Sequence, residues 1–154
     1  MFPYKNKRVF NGGKHQISVI DQHGKLLGHW TAYNNVDSHA SLSHIPNGSY
    51  VVQDRVIPHP HVPDAEGPYG LHGIIRFHVP GHVGIGLHAG QAHNPRRPGP
   101  AHWTMGCIRT TDQAMQSIAA IMAKAPLSTI EVMGNSPANA RSGTSYMQHA
   151  TAHG

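Results

Sequence analysis

The sequence has little of several things. Its 154 residues include a single cysteine, Cys107, so no internal disulfide can form, and a chain this long can fold on its hydrophobic core without one. Acids number seven, and no two of them stand out as a general acid/base couple. Aromatic residues make up 6% and no Lys/Arg run is longer than a pair such as Arg96-Arg97, a poor match to a nucleic-acid surface. No apolar run approaches the roughly 18 residues of a membrane span. The N-terminal MFPYKNKRVFNGGKH carries basic residues with no apolar segment behind them, which does not read as a secretory signal. G-x-x-x-x-G-K-[ST], G-x-S-x-G and H-E-x-x-H are absent, and so is a paired C-x-x-C.

What is abundant is Gly (17), Pro (12) and His (15). With only 12% charged residues, this composition predicts a loop-rich β protein. The net charge of +5 suits either a plain basic protein or one that meets carboxylate-rich substrates.

HQISVI, DQHGK and LLGHWTAY (15–33) read as a hairpin turning at Gly24. SYVVQDRV (49–56) is a strand by its β-branched content. Residues 57–70 hold four prolines and are a loop, because proline cannot donate to a sheet ladder. GIIRFHV (73–79) and HVGIGLHA (82–89) read as two further strands, followed by a long loop over 90–103. Beyond Cys107 the apolar period changes. Asp112 is the expected cap of a helix bearing Met115, Ile118, Ala119 and Met122, and Pro126 ends it. STIEVM (128–133) is the last strand. The expected organisation is a mainly β (β-rich α+β) domain over 1–134 and a disordered polar tail over 135–154.

A lone cysteine is more often a small buried hydrophobe than a nucleophile, but HWTMGCIRTTD (102–112) surrounds this one with useful neighbours. Gly106 permits an uncommon backbone angle and close approach of a carbonyl. The amides of 106 and 107 are expected just before a helix, where they can hold an oxyanion or a thiolate. Arg109 adds positive charge two positions on. His88 ends the strand GIGLH, 19 positions before Cys107, where a folded-back loop can bring imidazole to thiol. His59 and His61, with His78, His82 and His93 nearby, form the competing candidate for a zinc hydrolase. Their scatter without a ligand motif favours solvated loop histidines.

IGLHAG (85–90), an intervening loop, then TMGCIRTTD (104–112) resembles the catalytic signature of the L,D-transpeptidases of the YkuD-type fold: a histidine, a loop, then Ser/Thr-x-Gly-Cys-x-Arg/Asn. His88, Thr104, Gly106, Cys107 and Arg109 fill those places. SHIPNGSYVV (43–52) and PYGLHGIIRF (68–77) are similar to upstream family segments, so the likeness covers roughly 15–134. Met105 stands where many members carry histidine. Pro95, Pro98 and Pro100 stiffen a loop slightly longer than usual.

The resemblance implies an L,D-transpeptidase-like β-sandwich with one helix after the cysteine, working without metal or organic cofactor. It implies peptidoglycan stem peptides as substrate, attacked by Cys107 at the bond to the terminal D-amino acid. His88 is then the base, and amides near Gly106 and Cys107 are the oxyanion donors. Thr104 and Arg109 are expected at the substrate, with Arg109 orienting the motif or pairing with a carboxylate. Cross-linking, D-amino-acid exchange and carboxypeptidase action all fit, with periplasm or cell wall as the place of action. Small domains resembling this family without a leader include type VI secretion effectors, which implies a dedicated export route and an immunity protein in the producer. A non-catalytic wall-binding module on the same scaffold is the remaining alternative, although such a module has no use for Cys107, His88 and Arg109 together.

Overall fold

Side chains that alternate between core and solvent build the first sheet. The structure, a computed structural model, describes residues 6–137. Strand β1 (Asn6–Asn11) buries Asn6, Arg8 and Phe10 on one face, and β2 (Gln16–Ile20) returns antiparallel to it with Ile17 and Val19 buried. The hairpin from β2 to β3 (Leu26–Thr31) turns as expected at Gly24, with φ of 80°. The Asp21 carboxylate secures that turn by accepting the amides of His23 and Lys25 at 2.8 and 2.9 Å. Strand β8 (Leu127–Met133) lies parallel to β1, and β4 (Gly48–Val51) closes the sheet antiparallel to β8. The order is β3-β2-β1-β8-β4.

A second sheet of shorter strands runs β5-β6-β7, formed by β5 (Ile75–Arg76), β6 (Gly86–His88) and β7 (Ile108–Arg109). Phe10 and Ile17 from the first sheet share one core with Ile75, Leu87 and Ile108 of the second. The helix α1 (Asp112–Lys124) adds Met115, Ile118 and Met122, all at most 1% exposed. Each such side chain contributes about 1.5–3 kcal/mol of hydrophobic stabilisation. This is the mainly β architecture with one helix after the cysteine that the sequence led us to expect. No helix among the described residues is long and apolar enough to cross a membrane.

Several boundaries differ from expectation. β1 was not foreseen, because a buried arginine breaks its apolar alternation. The strand expected over 49–56 stops at Val51, since the chain there leaves the first sheet: Val52 bridges Phe77, and Gln53 N–H donates to the Arg76 carbonyl. The strands expected over 73–79 and 82–89 shrink to two and three residues. A turn at Val79–His82 and the positive φ of Gly84 interrupt their pairing. Asp112 is not the cap. Thr111 is, its hydroxyl accepting the Ala114 amide at 3.0 Å, while the Asp112 carboxylate reaches back to the amide of Leu71 at 2.8 Å. The tail expected from Asn135 lies outside the described residues from 138 onward. Asn135 itself is 4% exposed and belongs to the folded domain.

Candidate active site

The pairing of β6 with β7 is parallel and sets His88 opposite Arg109 and Leu87 opposite Ile108. Side chains two apart in an extended segment share a face. Cys107 and Arg109 therefore emerge on one side of β7, against the side of β6 that carries His88. All three line one cavity of about 340 Å³, with Tyr69 on one wall and Trp103 and Thr104 on another.

The turn that presents Cys107 depends on Gly106. Its φ is +132°, and a Cβ there would sit 2.9 Å from Ile85 Cδ1, so both backbone conformation and space call for glycine. Thr104 braces the turn from within. Its hydroxyl donates to the Cys107 carbonyl at 2.6 Å and accepts the Gly106 amide at 3.1 Å. Asn34 braces it from behind, Nδ2 donating to the carbonyls of Gly106 (2.9 Å) and Cys107 (3.1 Å). Two expectations shift in consequence. The Gly106 amide is already engaged inside the turn, and the Thr104 hydroxyl is spent there too, although Thr104 lines the cavity.

Protonation follows from the neighbours. His88 Nδ1 lies 2.7 Å from the Ala89 carbonyl oxygen. A carbonyl can only accept, so Nδ1 carries the proton and Nε2 is left with its lone pair. Burial, reinforced by the Arg109 charge, pushes the imidazole pKa down to about 3. Burial pushes the Cys107 thiol up, against smaller opposing effects of the Gly86 amide and Arg109. The thiol donates to the Gly84 carbonyl at 3.6 Å. At neutral pH the resting pair is therefore neutral imidazole and neutral thiol, and not an ion pair. The helix field expected at the cysteine does not reach it either, because β7 intervenes and α1 begins only at Asp112, and such a field fades within a turn.

Arg109 is 3% exposed. Nε donates to Ala89 O (3.2 Å), Nη1 to the carbonyls of His102 (2.9 Å) and Trp103 (3.0 Å), and Nη2 to Pro68 O (3.0 Å). It thus ties both loops that wall the cavity to the strand that follows Cys107. Tyr69, which sequence reasoning missed, sets its ring edge-on to His88 at 4.8 Å and stacks on His61 at 4.1 Å. Asn34 was missed as well. Only its position far upstream of the cysteine could be read from the sequence, and that carries no pattern.

The histidines weighed for zinc do not converge. His93 pairs with Glu66, His61 is stacked on Tyr69, and His59 sits 6.3 Å from His61, ring to ring. Among the described residues no three His, Cys, Asp or Glu side chains form a group able to hold a metal ion.

With this geometry in view, the comparisons with known proteins are specific. Residues 9–137 match the family model of the YkuD L,D-transpeptidase catalytic domain. No curated protein matches the sequence. Among solved structures, L,D-transpeptidase 1 of Mycobacterium tuberculosis is similar at 18% identity and TM-score 0.52, covering 85% of this chain and 63% of that one. An L,D-transpeptidase of Stackebrandtia nassauensis is similar at 15% identity and TM-score 0.56, covering 86% and 57%. Pgp2 of Campylobacter jejuni, a helical cell shape determining protein, gives 13% identity and TM-score 0.62, covering 86% and 49%. The chain therefore spans about half to two thirds of the length of these structures, and at such identities their likeness establishes the fold. Taken with the family match over 9–137, it means that this chain belongs to the YkuD family of L,D-transpeptidase catalytic domains.

Proposed function

We propose that the protein is a cysteine acyltransferase acting on peptidoglycan stem peptides at the bond to the terminal D-amino acid. One observation carries this: Cys107 shares its cavity with a histidine whose Nδ1 proton is anchored, leaving Nε2 as a base. A neutral thiol needs such a base at the moment of attack. His88 Nε2 takes the Cys107 proton as the sulfur adds to the carbonyl of the L-centre residue. The oxyanion forms opposite the Cys107 N–H, the donor left to the turn once the Gly106 amide is bound to Thr104. On collapse the C–N bond breaks, His88 returns its proton to the leaving amine of the D-amino acid, and a thioester remains on Cys107. An incoming amine or water then regenerates the thiol and gives cross-linking, exchange or carboxypeptidase products. Thr104 and Gly106 hold the turn, and Arg109 holds the cavity walls while adding positive potential for a substrate carboxylate.

The test is incubation of the native protein and Cys107→Ala with purified disaccharide-tetrapeptide, with and without D-methionine, read by mass spectrometry. Loss of the terminal D-alanine only with the native protein supports the proposal, and the tripeptide, D-methionine adduct or dimer names the acceptor. Product formation that survives Cys107→Ala sinks it. The place of action in this proposal is the periplasm or cell wall. Delivery there as an antibacterial effector, countered by an immunity protein, is a finer proposal with its own test. Periplasmic but not cytoplasmic expression is then toxic to bacteria.

A further inference from the structure

We infer that Asn34 is a positioning residue for acyl transfer: by gripping the Gly106 and Cys107 carbonyls from behind the turn, its side-chain amide aims the Cys107 N–H at the oxyanion. This rests on the acyl-transfer reading above and deepens it.

The argument starts from the planarity of the peptide unit. In a trans peptide the carbonyl of one residue and the N–H of the next lie in one plane and point opposite ways. Fixing Gly106 O at Asn34 Nδ2, 2.9 Å away, therefore fixes the Cys107 N–H to point away from Asn34. Asn34 is 1% exposed and lies outside the cavity lining, whereas Cys107 is part of that lining. The inverted φ of Gly106 is what allows the plane to take this orientation.

Asn34 itself has no freedom to turn. A side-chain amide offers two donors and two acceptor lone pairs, and all four are used. Nδ2 serves the two carbonyls of the turn, while Oδ1 accepts the Ile45 amide at 2.8 Å and Asn135 Nδ2 at 3.0 Å. The Ile45 N–H can only donate, so the end of Asn34 that faces it must be oxygen, and nitrogen must face the turn. Asn135 holds this orientation in turn, its Nδ2 also donating to Ile45 O at 2.9 Å and its backbone N–H to Asn47 Oδ1 at 2.9 Å. Asn135 Oδ1 has no partner among the described residues, but every donor and acceptor of Asn34 is satisfied, and that is what holds its amide in one orientation.

Two reactions at Cys107 separate this role from a merely structural one. With p-nitrophenyl acetate the sulfur adds to a carbonyl and passes through an oxyanion. The C–S bond forms, the C–O bond to nitrophenolate breaks, and the thiol proton passes to His88. With iodoacetamide the sulfur displaces iodide directly and no oxyanion arises, so that rate reports only thiolate supply and access. In Asn34→Ala the acylation rate should fall by about 10²-fold, the usual cost of an oxyanion donor, while the alkylation rate stays within a few-fold of native. Asn135→Ala, which removes one bond that orients Asn34 and leaves both of its donors, should show the same selectivity at a smaller loss. It carries the test if Asn34→Ala does not fold. Parallel loss of both rates overturns the inference, as does unchanged acylation in the variants, or a native thiol that alkylates but does not acylate. Acylation that depends on Asn34 without any turnover of the stem peptide sustains this inference and overturns the proposed substrate.

Discussion

One carbonyl oxygen, that of Ala89, accepts from both His88 and Arg109: from His88 Nδ1 at 2.7 Å and from Arg109 Nε at 3.2 Å. The two residues also face each other across the β6–β7 pairing. The imidazole is thus oriented by an acceptor that the guanidinium holds in place, and the same guanidinium reaches the carbonyls of His102, Trp103 and Pro68.

Arg109→Lys should consequently behave as a drastic change. A lysine ammonium is a compact point donor and cannot span acceptors on three separate segments. We expect a loss of about 3 kcal/mol in urea denaturation, the scale at which a buried charge loses its partners. The loop over 90–103 should loosen with it. The Arg96–Arg97 bond in that loop is a trypsin site, whereas Arg97 is protected by Pro98, so limited trypsin digestion should cut the variant after Arg96 much faster than the native protein. Native-like cutting and an unchanged urea midpoint would mean that the four carbonyl bonds do not hold the loops.

The depressed pKa of His88 makes a prediction about acid. The native imidazole takes a proton only near pH 3, whereas in the unfolded chain it does so near 6.5. Between those values the unfolded state binds more protons, so stability is complete above about pH 6.5 and falls as the pH drops toward 3, by at most about 1.4 kcal/mol per pH unit. His88→Gln removes that slope. The difference between native and variant melting temperatures should shift against the native protein as pH falls through this window, and a difference flat from pH 7 to 4 refutes the assigned imidazole state. The base also stays neutral at pH 5, so Cys107-dependent turnover should show no acid limb near 6.5.

Much of the site was legible because it lies in two short segments. GLH and TMGCIR carry His88, Thr104, Gly106, Cys107 and Arg109, and the pairing of β6 with β7 makes those segments neighbours in space. Tyr69, Asn34 and Asn135 were not legible. Each is a single polar residue from a distant part of the chain, and its role exists only through hydrogen bonds or ring packing that no local spacing records. In the fold, the hairpin around Gly24 and the apolar face of α1 could be read because each repeats its pattern over several turns or pleats. The second sheet was overdrawn, since strands of two or three residues are too short for a period. Thr111 and Asp112 are both good caps by type, and the choice fell to Thr111 because Leu71 takes up the Asp112 carboxylate.

Chelation should leave the chemistry unchanged. The histidines that compete for a metal role are engaged separately: His93 with Glu66, His61 against Tyr69, and His59 within 3.9 Å of Asp54, whose carboxylate is already held by Arg76. Zinc needs three or four ligands around one point. Product release from stem peptide should therefore be the same with and without a strong chelator, and abolished by Cys107→Ala in both cases. The reverse pattern, loss on chelation and survival of Cys107→Ala, would replace the thiol mechanism with a zinc hydrolase.

Arg8 predicts a stabilising substitution far from the chemistry. It projects from the central strand β1 into the core with no exposed surface, and Nε, Nη1 and Nη2 all lack hydrogen-bond partners. Burial pushes its pKa down to about 9, against the attraction of Asp54. The Phe77 ring, 5.8 Å away, offers one partial compensation. Cation–π attraction contributes only about 2 kcal/mol even when desolvated, less than the several kcal/mol of burying an unpaired ion. Methionine has a similar length and flexibility and carries no charge. Arg8→Met should thus raise stability by about 1–4 kcal/mol in urea, the range seen when buried ions give way to apolar side chains. Alkylation of Cys107 should keep its native rate, because Arg8 touches neither the cavity nor the turn that presents the thiol. A lower urea midpoint in Arg8→Met would show instead that Phe77 and Asp54 together offset the full cost of burial, and that the arginine is part of what holds the two sheets together.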